Sequence, residues 1–435
     1  MEAFLTAIDH SPLYLVLLVF FAFYPIVTSI VWTSTALTYY FRREYRKPVT
    51  YQPMRRYPRV TLLLPCHDEE VHIVETLDSC LLQDYPNLEI VVVDDGSTDT
   101  TIDRVMPYVR SGAVRLVAKE VNEGKAMAIN DALPVISGEV VLILDADARP
   151  APDMLRYVMP HFEYPRVAAV TGNPRVVDRS EFLGKLQMLE FTSIVSVLRR
   201  AQRIWGRMLT VSGVVTAFRT SALVDVGLFS PDMATEDIDM TWKLQKRFYD
   251  VRYEPAAVVD MRVPRTLRYL WRQRRRWALG LGQVLRRHTR DILSWKRRRM
   301  WPVLFEASLS ILWAYTLVVL TAFWVVSYST GHPPVGASPI PNWWGMLIAT
   351  LSLLQLGTGV LLDHRYDKEV VRFFPVAVFY PLVYWMLMSV ITVVSTPRGL
   401  FGTAPRGPTL WKVPREPVPA ERPSAAPVVR ELSKV

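Results

Sequence analysis

Two aspartates one residue apart, Asp145 and Asp147, end the run Gly138-Glu139-Val140-Val141-Leu142-Ile143-Leu144. The apolar run is rich in β-branched side chains and reads as a strand buried on both faces, as inside a parallel sheet. In an open α/β sheet, ligands bind outside the carboxyl ends of the strands, so these carboxylates project into a ligand crevice. Paired carboxylates suit a hard divalent cation such as magnesium or manganese, with phosphate oxygens completing its shell. An isolated Asp-x-Asp is just as well explained as a helix cap, so the neighbouring chain has to decide.

Two more strand ends bring polar residues to the same edge. Val60-Thr61-Leu62-Leu63-Leu64 leads into Pro65-Cys66-His67-Asp68-Glu69, and Leu88-Glu89-Ile90-Val91-Val92-Val93 leads into Asp94-Asp95-Gly96-Ser97-Thr98-Asp99. Asp-Gly-Ser alone is an ordinary turn. At the end of a buried strand, a carboxylate such as Asp95 can accept hydrogen bonds from a base edge or ribose hydroxyls. Asn122-Glu123-Gly124-Lys125 places Lys125 where a helix begins, and free amides, helix dipole and ammonium together favour a diphosphate.

Thr235-Glu236-Asp237-Ile238-Asp239 opens the helical run Met240 to Phe248. Acids in a first turn complement the dipole, but their density also fits a general base, for which Asp237 is the candidate. In Gln273-Arg274-Arg275-Arg276-Trp277, helical spacing puts Gln273, Arg276 and Trp277 on neighbouring faces of one turn. A guanidinium there can bind a departing diphosphate, and an indole can stack on a sugar ring. Arg274 and Arg275 are read as attracted to a membrane surface.

These residues must be carried by a soluble α/β unit set among membrane segments. Strands alternate with helical stretches from Arg59 to about Pro264, which implies a parallel sheet with right-handed crossovers. Leu13 to Phe41 carries no charge, is long enough to span a bilayer, and is followed by Arg42, Arg43, Arg46 and Lys47, which places its far end in the cytoplasm. A cleaved signal peptide is not expected, since the run is long and no basic region precedes it. Pro48 to Pro58 reads as a linker. Phe182 to Trp205 is an amphipathic helix, facing either a membrane or the core. Pro264 to Met300 suits helices lying on the inner membrane face, and Val303 to Tyr328 and Trp343 to Leu362 are further spans. Phe373 to Val394 contains Pro375 and Pro381, so it either spans or is kinked and partly re-entrant. Thr396 to Val435 is a Pro-rich, charged tail with weak prospects of folding by itself.

Composition agrees with this layout. The chain has 435 residues, half of them hydrophobic, and a net charge of +10; mean hydropathy is +0.15 and pI about 9.5. Its cationic stretches adjoin apolar spans and no nucleic-acid module is present, so the charge follows the positive-inside rule and no nucleic-acid partner is expected. Two cysteines, Cys66 and Cys80, make no disulfide framework and fit a reduced compartment.

With these residues assembled, the chain resembles the processive family-2 glycosyltransferases, whose Asp-Gly, Asp-x-Asp, Thr-Glu-Asp and Gln-x-x-Arg-Trp motifs all occur here in order. The motifs cover residues 59 to 300, and the flanking spans match in architecture. The resemblance implies a cytosolic α/β GT-A domain with a Rossmann-like mixed sheet, a nucleotide-sugar donor, a divalent cation (Mg2+ or Mn2+) and a bacterial inner-membrane, multi-pass location. It implies that Glu69, Asp95, Lys125, Asp145, Gln273 and Arg276 bind the donor nucleotide. Asp147 and Asp145 hold the metal, Asp237 is the base, and Trp277 and Glu236 meet the acceptor. The family's Asn-Glu after the first strand is Asp68-Glu69 here.

Val170 to Arg175, Val211 to Arg219 and Thr235 to Gln245 look most like the bacterial poly-β-1,6-N-acetylglucosamine synthases, which make a biofilm exopolysaccharide. That likeness implies UDP-N-acetylglucosamine, a growing polysaccharide, the lipid bilayer and a small accessory membrane subunit as partners. Chitin-, hyaluronan- and Nod-oligosaccharide-type synthases share the catalytic motifs, and a non-processive lipid-linked transferase is a further alternative. The implied division is 1–48, an N-terminal span; 49–263, the catalytic domain; 264–300, interface helices; 301–397, C-terminal spans; and 398–435, the tail.

Because Gly331 to Asn342 lacks Lys and Arg while Arg42 to Lys47 is basic, a cysteine introduced at Ser338 should label from outside intact cells and one at Thr50 should not. The reverse pattern would overturn the orientation.

Overall fold

The structure is a computed structural model that describes residues 5, 7, 8, 10–45, 53–334, 343–403 and 407–411. Strands β1 (Val60–Cys66), β2 (Leu88–Asp95), β3 (Arg115–Lys119), β4 (Val140–Leu144), β5 (Arg149–Pro150), β6 (Val167–Val176), β7 (Val215–Arg219) and β8 (Asp250–Met261) form one sheet in the order β3-β2-β1-β4-β7-β6-β8-β5. β3, β2, β1 and β4 run parallel, as the apolar runs imply. β7 then runs antiparallel to both β4 and β6, so the sheet is mixed.

Strand periodicity sends alternate side chains to opposite faces. Leu62, Leu64, Val92, Leu142 and Leu144 pack in the core on one face, and Leu63, Val91, Val93, Val141 and Ile143 pack on the other. With both faces covered, the polar residues that follow β1, β2 and β4 have only the open edge to occupy. The expected three strands are present, and β3, unforeseen, supplies Lys119 beside them.

Among the described residues, three helices are long and apolar enough to cross a membrane: Pro12–Arg43, Trp295–Ser329 and Trp343–Asp363. The first, α1 (Pro12–Arg43), starts with Ser11 accepting the Tyr14 N–H at 3.2 Å, and Pro12 needs no donor there. The expected amphipathic helix at 182–205 is divided into α2 (Phe182–Leu189), a π-helical turn Glu190–Val195 and α3 (Ser196–Trp205). Most of it is buried between the sheet and the spanning helices, which settles the two alternatives in favour of the interior.

After α3, the longer helices are α4 (Glu236–Lys246), α5 (Leu267–Ile292), α6 (Trp301–Ser329), α7 (Trp343–Asp363) and α8 (Trp385–Phe401). The Pro-containing segment before α8 is broken into a 3-10 stretch Val370–Val378 and a π-helical turn Tyr380–Tyr384, so kinking is the outcome. α8 continues past the expected boundary at 397 to Phe401. The loop at 335–342, including Ser338, lies outside the described residues, as does Thr50.

A buried ion network joins the membrane helices to the catalytic unit. Arg200 of α3, fully buried, contacts Glu44 beyond α1 at 2.7 Å and Asp363 of α7 at 2.8 Å, and Asp363 also meets Arg175 of β6 at 2.8 Å. Removing one partner from such a network leaves a buried charge uncompensated, at a cost of about 3–5 kcal/mol.

α5 and α8 cross where neither has a side chain. A Cβ on Gly399 would lie 2.2 Å from the Leu279 carbonyl oxygen, and one on Gly282 would lie 2.8 Å from the Thr396 carbonyl oxygen. Gly399→Ala should therefore destabilise the protein by about 1–3 kcal/mol, the usual cost of overpacking, visible as a lower unfolding temperature in detergent; an unchanged temperature would mean that the helices separate freely.

Candidate active site

The site is built around Lys125, at the start of the helix Lys125–Ala132. Its ammonium lies 2.5 Å from Asp145 Oδ1 and 3.7 Å from Glu236 Oε1, and donates to the Gly213 carbonyl at 2.8 Å. Burial works against the charge, yet Asp145 and Glu236 outweigh it and hold the Lys125 pKa above its ordinary value. One cation thus joins the end of β4 to the start of α4.

Asp145 accepts this ammonium while its backbone N–H donates to the Val214 carbonyl at 3.0 Å. Burial and the neighbouring Asp145 charge push the Asp147 carboxyl up to about 6. Lys125 and Arg262 oppose that rise without cancelling it, and two neighbouring carboxylates are a donor set that suits a divalent cation. Among the described residues no third His, Cys, Asp or Glu completes the set, so further ligands have to come from substrate and water.

Asp237 is half-buried in the first turn of α4. Burial, then the Glu236 charge, pushes its pKa up to about 6, while Lys125 and Arg276 pull the other way. Gly213 makes room for it, since a Cβ there would sit 3.2 Å from Asp237 Oδ2. Asp239, one turn inside, has a different environment. Burial opposes its charge, but His288 at 2.8 Å, Lys243 and the Ser230 hydroxyl at 2.7 Å hold it at about 2. Asp237 thus combines a raised pKa with partial exposure, whereas Asp239 is fully buried and held ionised.

Helix α5 docks on this turn. Arg276 donates to the Ala234 carbonyl at 3.0 Å, Gln283 accepts the Ala234 N–H at 2.9 Å, and a Cβ on Gly280 would meet Thr235 Oγ1 at 2.2 Å. A cavity of about 280 Å³ opens here, lined by Arg272, Arg275 and Arg276 of α5, Arg398 of α8, Ala234 and Thr409. Arg398 belongs to no sequence motif; only the helix crossing brings it to the motif arginines.

Arg274 corrects the membrane-surface expectation, because it is fully buried and paired with Glu190 at 2.5 Å. Arg275 faces the cavity. Gln273 and Trp277 are half-buried on the same helical turn.

Asp95 is fully buried, and its carboxylate accepts the Glu123 and Gly124 N–H groups, Gly124 at 2.6 Å, with Lys119 at 3.1 Å. It therefore shapes the turn that delivers Lys125. Sequence reasoning missed Lys119, which also bridges Glu123 and Asp131. Asp68, at φ 54°, accepts the Thr98 N–H at 2.8 Å and stitches the ends of β1 and β2 together. Glu69 is buried in that wall, its N–H donating to Thr101 at 2.7 Å.

The described part of the tail, 407–411, returns to this edge. Thr409 donates its N–H to the Pro231 carbonyl at 2.8 Å, the Trp411 carbonyl accepts from Asn122 at 3.3 Å, and the Trp411 ring lies parallel to His67 with centroids 6.0 Å apart.

With this geometry in place, the sequence comparisons can be read. Residues 140–390 match the family model for glycosyl transferase family group 2. The chain belongs to the family-2 glycosyltransferases, with a GT-A-like mixed sheet. The poly-β-1,6-N-acetyl-D-glucosamine synthase of Staphylococcus epidermidis is 34% identical over 387 residues, spanning 88% of this chain and 94% of that protein. The synthase of the same name from Staphylococcus aureus strain COL matches at the same identity and coverage. A mannosyltransferase from Pyrobaculum calidifontis, solved in complex with GDP-Man and Mn2+, superposes with a TM-score of 0.61 at 28% identity, covering 88% of this chain and 98% of its own.

Gly124, at φ 87°, would place a Cβ 2.0 Å from the Thr409 carbonyl oxygen. Gly124→Ala should lift 407–411 off the site and speed hydrogen exchange of the Thr409 amide at least ~10-fold, as expected of a locally opened segment. Unchanged exchange would show that the tail is held elsewhere.

Proposed function

We propose that the protein is a membrane-embedded, inverting polysaccharide synthase that transfers N-acetylglucosamine from UDP-N-acetylglucosamine to a growing poly-β-1,6-N-acetylglucosamine chain and couples elongation to export. The observation that carries the chemistry is the pairing of a carboxylate of raised pKa, Asp237, with a cation-ready Asp145/Asp147 pair across Lys125. The 34% identity to the staphylococcal synthases along 88% of the chain supports the donor and the polymer.

The reaction is a single displacement. Asp237 accepts the proton of an acceptor hydroxyl as that oxygen bonds to the anomeric carbon, and the bond to the diphosphate oxygen breaks on the opposite side. Asp147 and Asp145 would hold a divalent cation, magnesium or manganese, which when bound offsets the negative charge on the leaving diphosphate. Lys125 and Arg276 supply positive charge on either side of α4's first turn, where that diphosphate separates. Glu69, Asp95 and Gln273 complete the donor site, with Asp95 and Lys119 acting through the 122–124 turn. Trp277 and Glu236 meet the acceptor sugar.

The protein resides in a bacterial inner membrane, passes it several times and keeps residues 49–263 in the cytosol, where the donor is made. A small accessory membrane subunit completes the machine. The units are those of 1–48, 49–263, 264–300, 301–397 and 398–435, with the last span extended to Phe401.

Purified protein in lipid, given UDP-N-acetylglucosamine and magnesium, should make a polymer that an enzyme specific for β-1,6 linkages digests; a resistant polymer would overturn its identity. Asp147→Asn should abolish metal-dependent donor use, whereas Asp237→Asn should keep UDP binding and lower turnover at least ~100-fold, the scale of general-base loss. Equal loss of UDP affinity in both would refute that division of labour. Since Asp237 accepts a proton only when ionised, kcat/KM should fall as pH drops through about 6, the value to which its burial and Glu236 raise it.

A further inference from the structure

Arg274 sits in the middle of the Gln-x-x-Arg-Trp turn and is 0% exposed. Its Nη2 lies 2.5 Å from Glu190 Oε2, and the same carboxylate oxygen accepts the Tyr384 hydroxyl at 2.7 Å. Glu190 opens the π-helical turn before α3, and Tyr384 closes the one before α8. Such wide turns are rare and recur at functional sites. The three residues therefore tie α5 to the helical segment α2–α3 and to the last apolar segment.

The guanidinium also touches Trp277. Its central carbon is 3.9 Å from the centre of the indole ring. A contact so close to the ring centre lies over a face, because an edge approach would hold the atoms farther out. One face of Trp277 is thus covered. Meanwhile Nε and Nη1 of Arg274 are buried without a hydrogen-bond partner. A buried ion pair contributes little net stability, and a guanidinium leaving two nitrogens unbonded contributes less than an apolar side chain would. Stability alone does not account for an arginine here.

We propose that Glu190, Arg274 and Tyr384 form a positioning device for Trp277. Glu190 fixes the guanidinium, Tyr384 fixes Glu190, and the planar cation holds the indole by one face so that the acceptor sugar meets the other. Arg274 is a positioning residue: it acts through Trp277 and does not touch the reacting atoms. The inference rests on the reading of Trp277 as the acceptor platform.

Lysine keeps the charge for Glu190 but lacks the plane, so Arg274→Lys separates pairing from stacking. Full-length protein in lipid nanodiscs, with UDP-N-acetylglucosamine as donor and an N-acetylglucosamine oligosaccharide as acceptor, gives separate KM values for the two substrates. Arg274→Lys should raise the acceptor KM about fivefold while the donor KM stays within about twofold, the scale of a lost cation–aromatic contact. Trp277→Ala should raise the acceptor KM at least as much, and adding Arg274→Lys to it should cause no further rise, because coupled residues are non-additive. Effects that multiply in the double variant, or an acceptor KM unchanged in Arg274→Lys, would overturn the positioning role alone. An acceptor KM unchanged in Trp277→Ala would instead overturn the platform reading and this inference with it. If Arg274→Lys does not fold, Tyr384→Phe removes only the hydroxyl that fixes Glu190. It should shift the acceptor KM in the same direction, and no shift would overturn the device.

Discussion

The cleft is governed by an imbalance of charge. The end of β4 and the first turn of α4 bring Asp145, Asp147, Glu236 and Asp237 to one edge, and Lys125 is the ammonium set among them. Like charges in a partly desolvated place cannot all stay ionised cheaply, which is why Asp147 and Asp237 both rest near 6. Under the proposed mechanism, the same imbalance suits the cleft to a cation and to a proton arriving from a hydroxyl. A better-neutralised cleft would be more stable and would do less chemistry. The surrounding structure serves to keep these groups close: the 122–124 turn braced by Asp95 and Lys119, the glycine at 213, and α5 clamped over Thr235.

The membrane helices contribute to the site as well as anchoring it. Arg276 and Arg398 reach the same cavity from α5 and from the apolar helix α8, and Arg200 fastens the ends of α1 and α7 to the catalytic unit. These ties bury charges in pairs, so a partial displacement would expose one charge of a pair to an apolar surrounding. The catalytic unit and the spanning helices therefore behave as one packed body along this seam.

How much of this was legible in the sequence follows from where each partner lies. β1, β2 and β4 are buried on both faces and so appear as unbroken apolar runs, and their strand-end acids were read correctly as sharing one edge. β3 is short, begins with Arg115 and is only partly buried, so no run marks it and Lys119 went unnoticed. Arg274 looked like one more surface cation because its compensating acid, Glu190, lies 84 residues earlier. Arg398 and the 407–411 segment reach the site through a helix crossing and a chain reversal, which no local pattern encodes. Local periodicity gives the strands, motif spacing gives the candidate site residues, and the residues that hold them in place come from distant pairings.

The glycine crossing of α5 and α8 has a mechanical consequence. α8 has 17 residues and so is about 26 Å long, a little less than the ~30 Å hydrocarbon thickness of a typical bilayer. Gly399 and Gly282 put the backbone of α8 directly against that of α5, with no side chain to bend between them. Gly280 of α5 rests on Thr235 in the same way. Three glycines thus link the last apolar helix, backbone against backbone and then backbone against Thr235, to the turn that carries Asp237.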